Sequence, residues 1–258
     1  MPLCDSITFI LFSNTENKTI VLVLCYYISA TMIVQISIPP NLKLSLRDPE
    51  ASTLGRKIIR EGIVLMCDLG YEQFTFKKLA EAIDSTEASI YRYFENKHRL
   101  LLYFLTWYWN YVEYQSTVSL QGLHNPEVKI KKIIAILTTG LPNWSDAAGI
   151  NKTALQEIVI AESSKAYLTK EVDAINREKL FKPYKDLCHH IALVFQEYNP
   201  EYPYPHSLAS TIIETAQFQP FFMEHLPALT DFGGDRDGAK VAVFLENIAF
   251  SALDATRK

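Results

Sequence analysis

The chain has 258 residues, 48% hydrophobic and 21% charged, which is enough for one large globular domain or two ordinary ones. Its net charge of −4 argues against a strongly basic nucleic-acid-binding protein. The four cysteines have neither close pairs nor metal-ligand spacing, which is typical of a reducing compartment such as the cytoplasm.

Residues 1–46 form an N-terminal extension whose composition differs from the rest of the chain. No charged residue occurs from Thr19 to Leu42, and this apolar run is long enough to span a bilayer. Three interpretations stay open. Met32 is the true start and residues 1–31 are translated upstream sequence, or the run is a membrane- or surface-associated helix, or it is an ordered extension.

The first helical segment is predicted to begin at Asp48-Pro49-Glu50, with aspartate as the cap and proline in the first turn. Gly70 is well placed to end this helix in a left-handed conformation. The apolar residues expected on its buried face are Leu54, Ile58, Leu65, Met66 and Leu69. Arg56, Lys57 and Arg60 near its start either approach phosphate or form a solvated face.

Two short helices follow, each opened by a threonine. Thr75 is predicted to cap a helix with apolar residues at helical spacing up to Ile83. Asp84-Ser85 is predicted to form the turn, and Thr86 to cap a second helix in which Ile90 and Phe94 lie four residues apart. This is a helix-turn-helix pattern, a unit that places its second helix in the DNA major groove.

Residues 50–105 resemble the N-terminal domain of TetR/AcrR (tetracycline-repressor-like) transcriptional regulators. The residues that carry the resemblance are Gly70-Tyr71, Thr75, Leu79-Ala80, Ile83, the run from Ser89 to Phe94, and Asn96-Lys97. The chain departs from most of the family in its turn, where Asp84-Ser85 replaces Gly-Val, and at Glu87. Aspartate can adopt the left-handed conformation that the turn needs, whereas Ser85 removes an apolar contact.

The resemblance implies that Thr86–Phe94 is the recognition helix. Glu87 would accept from a cytosine amino group and Ala88 would contact a thymine methyl group, although Glu87 is equally explained as a helix-dipole charge facing water. Tyr91, Tyr93 and Lys97 match family positions that hold the phosphate backbone, and for Tyr91 the alternative is packing on the first helix. The full set of expected DNA contacts is Thr75, Lys77, Thr86, Glu87, Ala88, Ser89, Tyr91, Arg92, Tyr93 and Lys97.

An aromatic helix is predicted at His98–Ser119, linking the DNA-binding unit to the remainder. Aromatic residues at helical spacing usually form core, but the alternative is an effector pocket between helices. The residues predicted to line that pocket are Tyr103, Trp107, Tyr111, Tyr184 and Phe195. Further helices are expected from Asn125 to Leu137, from about Asp146 to Tyr167, and from Thr169 to Tyr198 with a kink at Pro183.

The last two helices are predicted at Ser207–Gln219 and Asp237–Ala255, with Pro220 and Gly233-Gly234 between them. In the family, the corresponding helices pair with their symmetry mates, which implies a homodimer that reads two half-sites. The predicted fold is therefore all-α, with a helix-turn-helix domain at 47–97 and a helical regulatory and dimerisation domain at 98–258.

The predicted function is a ligand-responsive bacterial transcriptional regulator, expected to be a repressor of a palindromic operator. Two alternatives stay open: a dimeric scaffold with a degenerate helix-turn-helix, and a membrane-tethered regulator. Cys188-His189-His190 is the only local cluster that suggests a metal, but adjacent helical side chains point about 100° apart. No nucleophile motif, phosphate loop or zinc signature occurs, so neither an enzyme, a cofactor nor a metal is expected.

Overall fold

The computed structural model describes residues 7–12, 19–24, 44–139, 149–233 and 238–255. Ten α-helices occur within this part of the chain: α1 Thr53–Gln73, α2 Phe76–Ala82, α3 Glu87–Tyr91, α4 Lys97–Ser119, α5 Pro126–Thr139, α6 Lys152–Tyr167, α7 Val172–Arg177, α8 Lys182–Tyr198, α9 Pro205–His225 and α10 Gly238–Asp254. A 3₁₀ turn occupies Pro227–Leu229. The all-α prediction is confirmed for this body of the protein.

An antiparallel β-hairpin lies in the N-terminal extension, formed by β1 Ile7–Phe12 and β2 Thr19–Leu24. The first six residues of the apolar run, which one of the three interpretations predicted to be helical, form a strand instead, a result that suits their β-branched content. The rest of that predicted helix lies outside the described residues. Among the residues described, no helix is both long enough and apolar enough to cross a membrane.

Helix α1 begins at Thr53, so the predicted start at Asp48-Pro49-Glu50 is wrong by about one turn. Ser52 is the cap, and its hydroxyl accepts from the backbone N–H of Gly55 at 2.9 Å. Asp48 instead accepts from the N–H of Glu50 in a turn that precedes the helix. Pro49 folds back over Gly55, where any side chain would clash with the Pro49 carbonyl. A serine cap and this backbone contact therefore fix the helix start.

The buried face of α1 differs from the predicted one. The residues buried in it are Gly55, Ile58, Ile59, Gly62, Ile63 and Met66, whereas Leu54, Leu65 and Leu69 are half-buried. Gly70 interrupts the helix with φ 72° and ψ 160°, a conformation that costs little only for glycine. The prediction that Gly70 takes a positive φ is confirmed, although one more turn follows before Phe74.

Two helices near the middle of the chain replace the single one predicted from Thr169 to Tyr198. Helix α7 ends at Arg177, and Lys179 adopts a left-handed φ of 60° in the connection. Pro183 lies in the first turn of α8, where its missing N–H leaves no helical bond unmade. Pro183 therefore begins a helix and does not kink one.

Helix α9 runs from Pro205 to His225 and passes through Pro220, which was predicted to lie between helices. A proline inside a helix leaves one carbonyl without its usual donor. The helix continues for another turn, with Met223 beyond the proline 2% exposed. Burial of this turn therefore outweighs the local cost of the proline.

The chain forms two compact units. One contains residues up to Tyr108 together with 143–180, and the other contains 109–142 together with 181–258. The boundary between these units lies within α4, after Tyr108, whereas the predicted domain boundary lies between residues 97 and 98. In the second unit α5, α8, α9 and α10 pack together, and Gly238 approaches Thr138 so closely that a side chain there would clash with its carbonyl oxygen.

Candidate DNA-binding surface

The helix-turn-helix is built as its sequence predicts. Thr75 caps α2 by accepting from the N–H of Lys78 at 3.2 Å, and Thr86 caps α3 by accepting from the N–H of Ser89 at 3.3 Å. Between them Asp84 adopts a left-handed φ of 53°. Aspartate therefore takes the place of the glycine common in the family, and the turn keeps its shape.

The predicted reading edge lies at the exposed N-terminus of α3. Thr86, Glu87 and Ala88 are exposed and Ser89 is half-buried, while Ile90 is fully buried and anchors the helix. The hydroxyls of Thr86 and Ser89 are 3.0 Å apart. Helix α3 ends at Tyr91, so it is shorter than the predicted Thr86–Phe94. Its first turn presents these side chains outward, the arrangement that base reading requires.

Tyr91 is 49% exposed and packs its ring edge-on against Phe76 of α2, with centroids 5.0 Å apart. The sequence offered α1 as the packing alternative, but the ring partner belongs to α2. Phe76 therefore fixes the ring of Tyr91 while half of the side chain stays exposed. Tyr91 both packs on the fold and remains available at the surface.

Tyr93 is buried, at 8% exposure, although it was predicted to contact phosphate. Its hydroxyl lies 2.7 Å from the hydroxyl of Ser52, which is the cap of α1. Its carbonyl accepts from the N–H of Leu46 at 2.8 Å. Tyr93 therefore joins the end of α3 to the segment that leads into α1.

Lys97 was also predicted to contact phosphate, and in the structure its ammonium group lies over the end of α1. It donates to the carbonyls of Tyr71, Glu72 and Phe74 at 2.8, 3.1 and 3.3 Å. It also lies 4.5 Å from the centroid of the Tyr71 ring. An ammonium group has three N–H donors, so Lys97 has an internal carbonyl partner for each.

Other basic side chains in this unit also have internal partners. Lys57 donates to the carbonyl of Ile83 at 2.7 Å, and Lys78 donates to that of Gln73 at 2.9 Å. Arg56 donates to the carbonyl of Glu50, and Arg99 pairs with Glu178 at 2.7 Å. Cations near helix C-termini are favourably placed there. Three of the six cations that suggested phosphate binding, Arg56, Lys57 and Lys97, therefore have partners within the fold.

The residues predicted to form an effector pocket belong to both compact units. Tyr103 lies in the N-terminal unit, where it donates to a Glu50 carboxylate oxygen and packs edge-on against Phe94. Tyr184 lies in the other unit, donates to Glu214 at 2.6 Å and packs on Trp109. Trp107, Tyr111 and Phe195 are buried, which is the core interpretation of the aromatic residues.

A groove of about 330 Å³ occurs elsewhere in the C-terminal unit, between the end of α4, the start of α5 and α8. Its wall contains the ion pair of Lys129 and Glu197, at 2.7 Å, and the imidazole of His190. Burial lowers the pKa of His190, so this ring is neutral at pH 7. None of the predicted pocket residues lines this groove.

The two adjacent histidines diverge, as expected for neighbours on a helix. His189 faces His206, with Nδ1 and Nε2 3.1 Å apart, while Nδ1 of His190 lies 3.5 Å from the hydroxyl of Thr117. Within the described ranges, no group of three or more metal-binding side chains converges.

Sequence analysis missed the segment before α1. Leu44 and Ser45 are 3% and 5% exposed, and Leu46 is bonded to Tyr93, although no functional role was predicted for residues 44–46. The sequence signal for this segment was weak. It consisted of Leu44 and of Ser52, a serine three residues before Gly55.

Residues 58–104 match the family described as bacterial regulatory proteins, tetR family. No curated protein matches the chain. Solved structures with similar folds include AibR in complex with isovaleryl coenzyme A and operator DNA, at 19% identity and a TM-score of 0.51, covering 75% of this chain and 97% of that one. FadR from Bacillus subtilis in complex with stearoyl-CoA is 15% identical with a TM-score of 0.55, covering 76% and 97%. FadR from Bacillus halodurans is 16% identical with a TM-score of 0.51, covering 78% and 98%.

Proposed function

We propose that this chain is a one-component transcriptional repressor of the cytoplasm, built on a DNA-binding domain like that of the tetR family of bacterial regulatory proteins, which residues 58–104 match. The observation that carries the proposal is the exposed first turn of α3, held by the Thr86 cap and the buried Ile90. The match to a family of regulators supports the expectation that the chain is not an enzyme.

The proposed repressor binds a palindromic operator as a homodimer. Helix α10 supports this arrangement because it has two apolar faces. Val241, Leu245 and Ala249 are buried within the protomer, whereas Val243 is 59% exposed and Phe244 is 36% exposed. Phe218 of α9 is also exposed, at 37%. A second copy packed on this surface would bury the outward apolar side chains and give the two-fold symmetry of a palindrome.

Effector binding in the C-terminal helices shifts the protein toward a state with lower operator affinity. The difference between the effector's binding free energies for the two states limits how far it can shift the equilibrium between them. The complexes of AibR and FadR contain acyl coenzyme A molecules, so this is the first effector class to test here.

DNA binding is tested with fluorescence-labelled DNA from upstream of the gene, at several salt concentrations. We expect saturable binding that weakens as salt rises. Ala88→Glu places a bulky anion on the reading edge and should lower the DNA affinity at least about tenfold, because the anion repels the phosphates. The fold tolerates this change because Ala88 is exposed. Ala228→Glu, also at an exposed alanine, is the matched control and should bind like the wild type.

The outcome of this titration separates the candidates. Binding without any loss in Ala88→Glu would overturn the assignment of the reading edge. No binding by the folded wild-type dimer would favour the scaffold alternative. Release of bound DNA by short- or long-chain acyl-CoA, but not by free coenzyme A, identifies the effector class.

A further inference from the structure

The segment of residues 44–47, here called the arm, is fixed to the end of the recognition helix. Leu44 is 3% exposed, and the N–H of Leu46 donates to the carbonyl of Tyr93 at 2.8 Å. The chain then turns at Asp48, and the hydroxyl of Ser52 contacts that of Tyr93 at 2.7 Å. Tyr93 therefore holds the arm through both its main chain and its side chain.

Arg47 is the next residue after this anchor, and it is exposed. No hydrogen bond or ion pair engages its guanidinium among the described residues. Its backbone is one residue from the bond between Leu46 and Tyr93, and the two residues that precede Tyr93, Tyr91 and Arg92, are also exposed. The fold thus brings a cation from outside the helix-turn-helix close to the end of α3.

Few of the other cations in residues 47–99 are available to bind DNA, which is why the charge of Arg47 matters for DNA affinity. Residues 47–99 contain nine Lys and Arg against nine Asp and Glu, so this unit has no net charge. Five of the cations, Arg56, Lys57, Lys78, Lys97 and Arg99, have the internal partners described above. Arg60 lies against Gly149 of the same unit. Arg92 donates to the exposed reading edge itself, at the Ser89 hydroxyl 3.4 Å away. Arg47 and Lys77 remain without a partner among the described residues.

We propose that the arm is part of the DNA-binding surface and that Arg47 binds a phosphate of the operator backbone. This inference rests on the proposed DNA-binding function and adds to it a contact from outside the helix-turn-helix. Arginine suits the role because its planar fork donates two hydrogen bonds to one phosphate. Such a contact adds affinity and register without reading a base.

The test measures the logarithm of the binding constant against the logarithm of salt concentration for the full-length protein. Each phosphate contact contributes about 0.9 to the slope, so Arg47→Ala should lower it by about 1.8 in a dimer. Its affinity should fall by a similar factor for operator and for unrelated DNA. Arg47→Lys should keep the slope, because one positive charge is retained, while losing the bidentate geometry.

Arg60→Ala is the matched control, since it removes the same charge from an exposed arginine of the same unit that lies against Gly149. An unchanged slope in Arg47→Ala, or an equal decrease in Arg60→Ala, would overturn the proposal. A loss confined to the operator with the slope unchanged would also overturn it, by indicating base contact. If the wild type binds no DNA, the proposed function fails first, and the two failures are thereby distinguished.

Discussion

Lys97 has a match in the family's phosphate-binding pattern, yet its ammonium group is surrounded by three carbonyls at the end of α1. Sequence spacing correctly places a lysine beside the recognition unit, but it cannot show which way a flexible four-carbon side chain turns. The same limit applies to Lys57 and Lys78, each of which donates to the carbonyl of a residue close to the end of a helix.

Replacing Lys97 with methionine should lower the free energy of unfolding by about 1–3 kcal/mol, because three carbonyls lose a charged donor. Urea denaturation at fixed protein concentration measures this change. Lys77→Met is the control, since Lys77 is exposed and has no partner among the described residues, and its effect should stay within about 0.5 kcal/mol. Full stability of Lys97→Met with a lower salt slope on DNA would restore Lys97 as a phosphate contact.

Cys67 should be an unreactive thiol. Burial is the main cause that raises its pKa to about 12, and the thiol also donates to a Glu157 carboxylate oxygen at 3.1 Å. At pH 8 only about one thiol in ten thousand is then ionised, and the thiolate is the nucleophile. Reaction becomes appreciable only as the pH rises toward 12.

Alkylation at pH 8, followed by peptide mass spectrometry, should show Cys67 reacting far more slowly in the folded protein than in urea. Glu157→Gln removes the neighbouring negative charge and should speed the reaction. Equal rates for Cys67 in the folded and the unfolded chain would contradict this prediction.

At the scale of the element, capping residues and helical periodicity predicted the starts of α2, α3 and α4 closely, because the relevant interactions lie within a few residues. The errors elsewhere have both local and distant causes. Helix α1 starts at Thr53 because Ser52 caps it and Pro49 folds onto Gly55. Helix α9 continues beyond Pro220, and Met223 is buried there. Tertiary burial overrode the local signals in the second case.

The residues of the candidate site also fall into two groups, those that the local sequence predicts and those that it does not. The exposed reading edge of Thr86, Glu87 and Ala88 follows from the cap position and helix period, so the sequence was sufficient. The buried positions of Tyr93 and Tyr103 depend on Ser52 and Glu50, which are 41 and 53 residues away in the chain. No local pattern contains such contacts, and the assembly of a pocket from aromatic residues was unpredictable for the same reason.

For the whole molecule, the proposal to test is assembly into a dimer through the outward faces of α9 and α10. Val243→Glu should raise the dimer dissociation constant at least about 100-fold, because it places a charge in each half of a desolvated interface. Analytical ultracentrifugation over a range of protein concentrations measures this constant.

Val128→Glu on α5 is the matched control for this variant, since Val128 is 45% exposed and lies outside the proposed interface. It should leave the dimer intact, whereas Val243→Glu should also lose operator affinity because one protomer reads only one half-site. A wild-type protein that stays monomeric at high concentration would refute the proposed interface.

Helix α3 has only five residues, and of these Ile90 alone is buried. Its stability therefore depends on one anchor and one cap, while Glu87 and Ala88 are exposed. Under the proposed function, substitutions at these two positions would change the preferred operator while leaving the fold unharmed. The DNA specificity of such a regulator would then be free to change while its core stays the same.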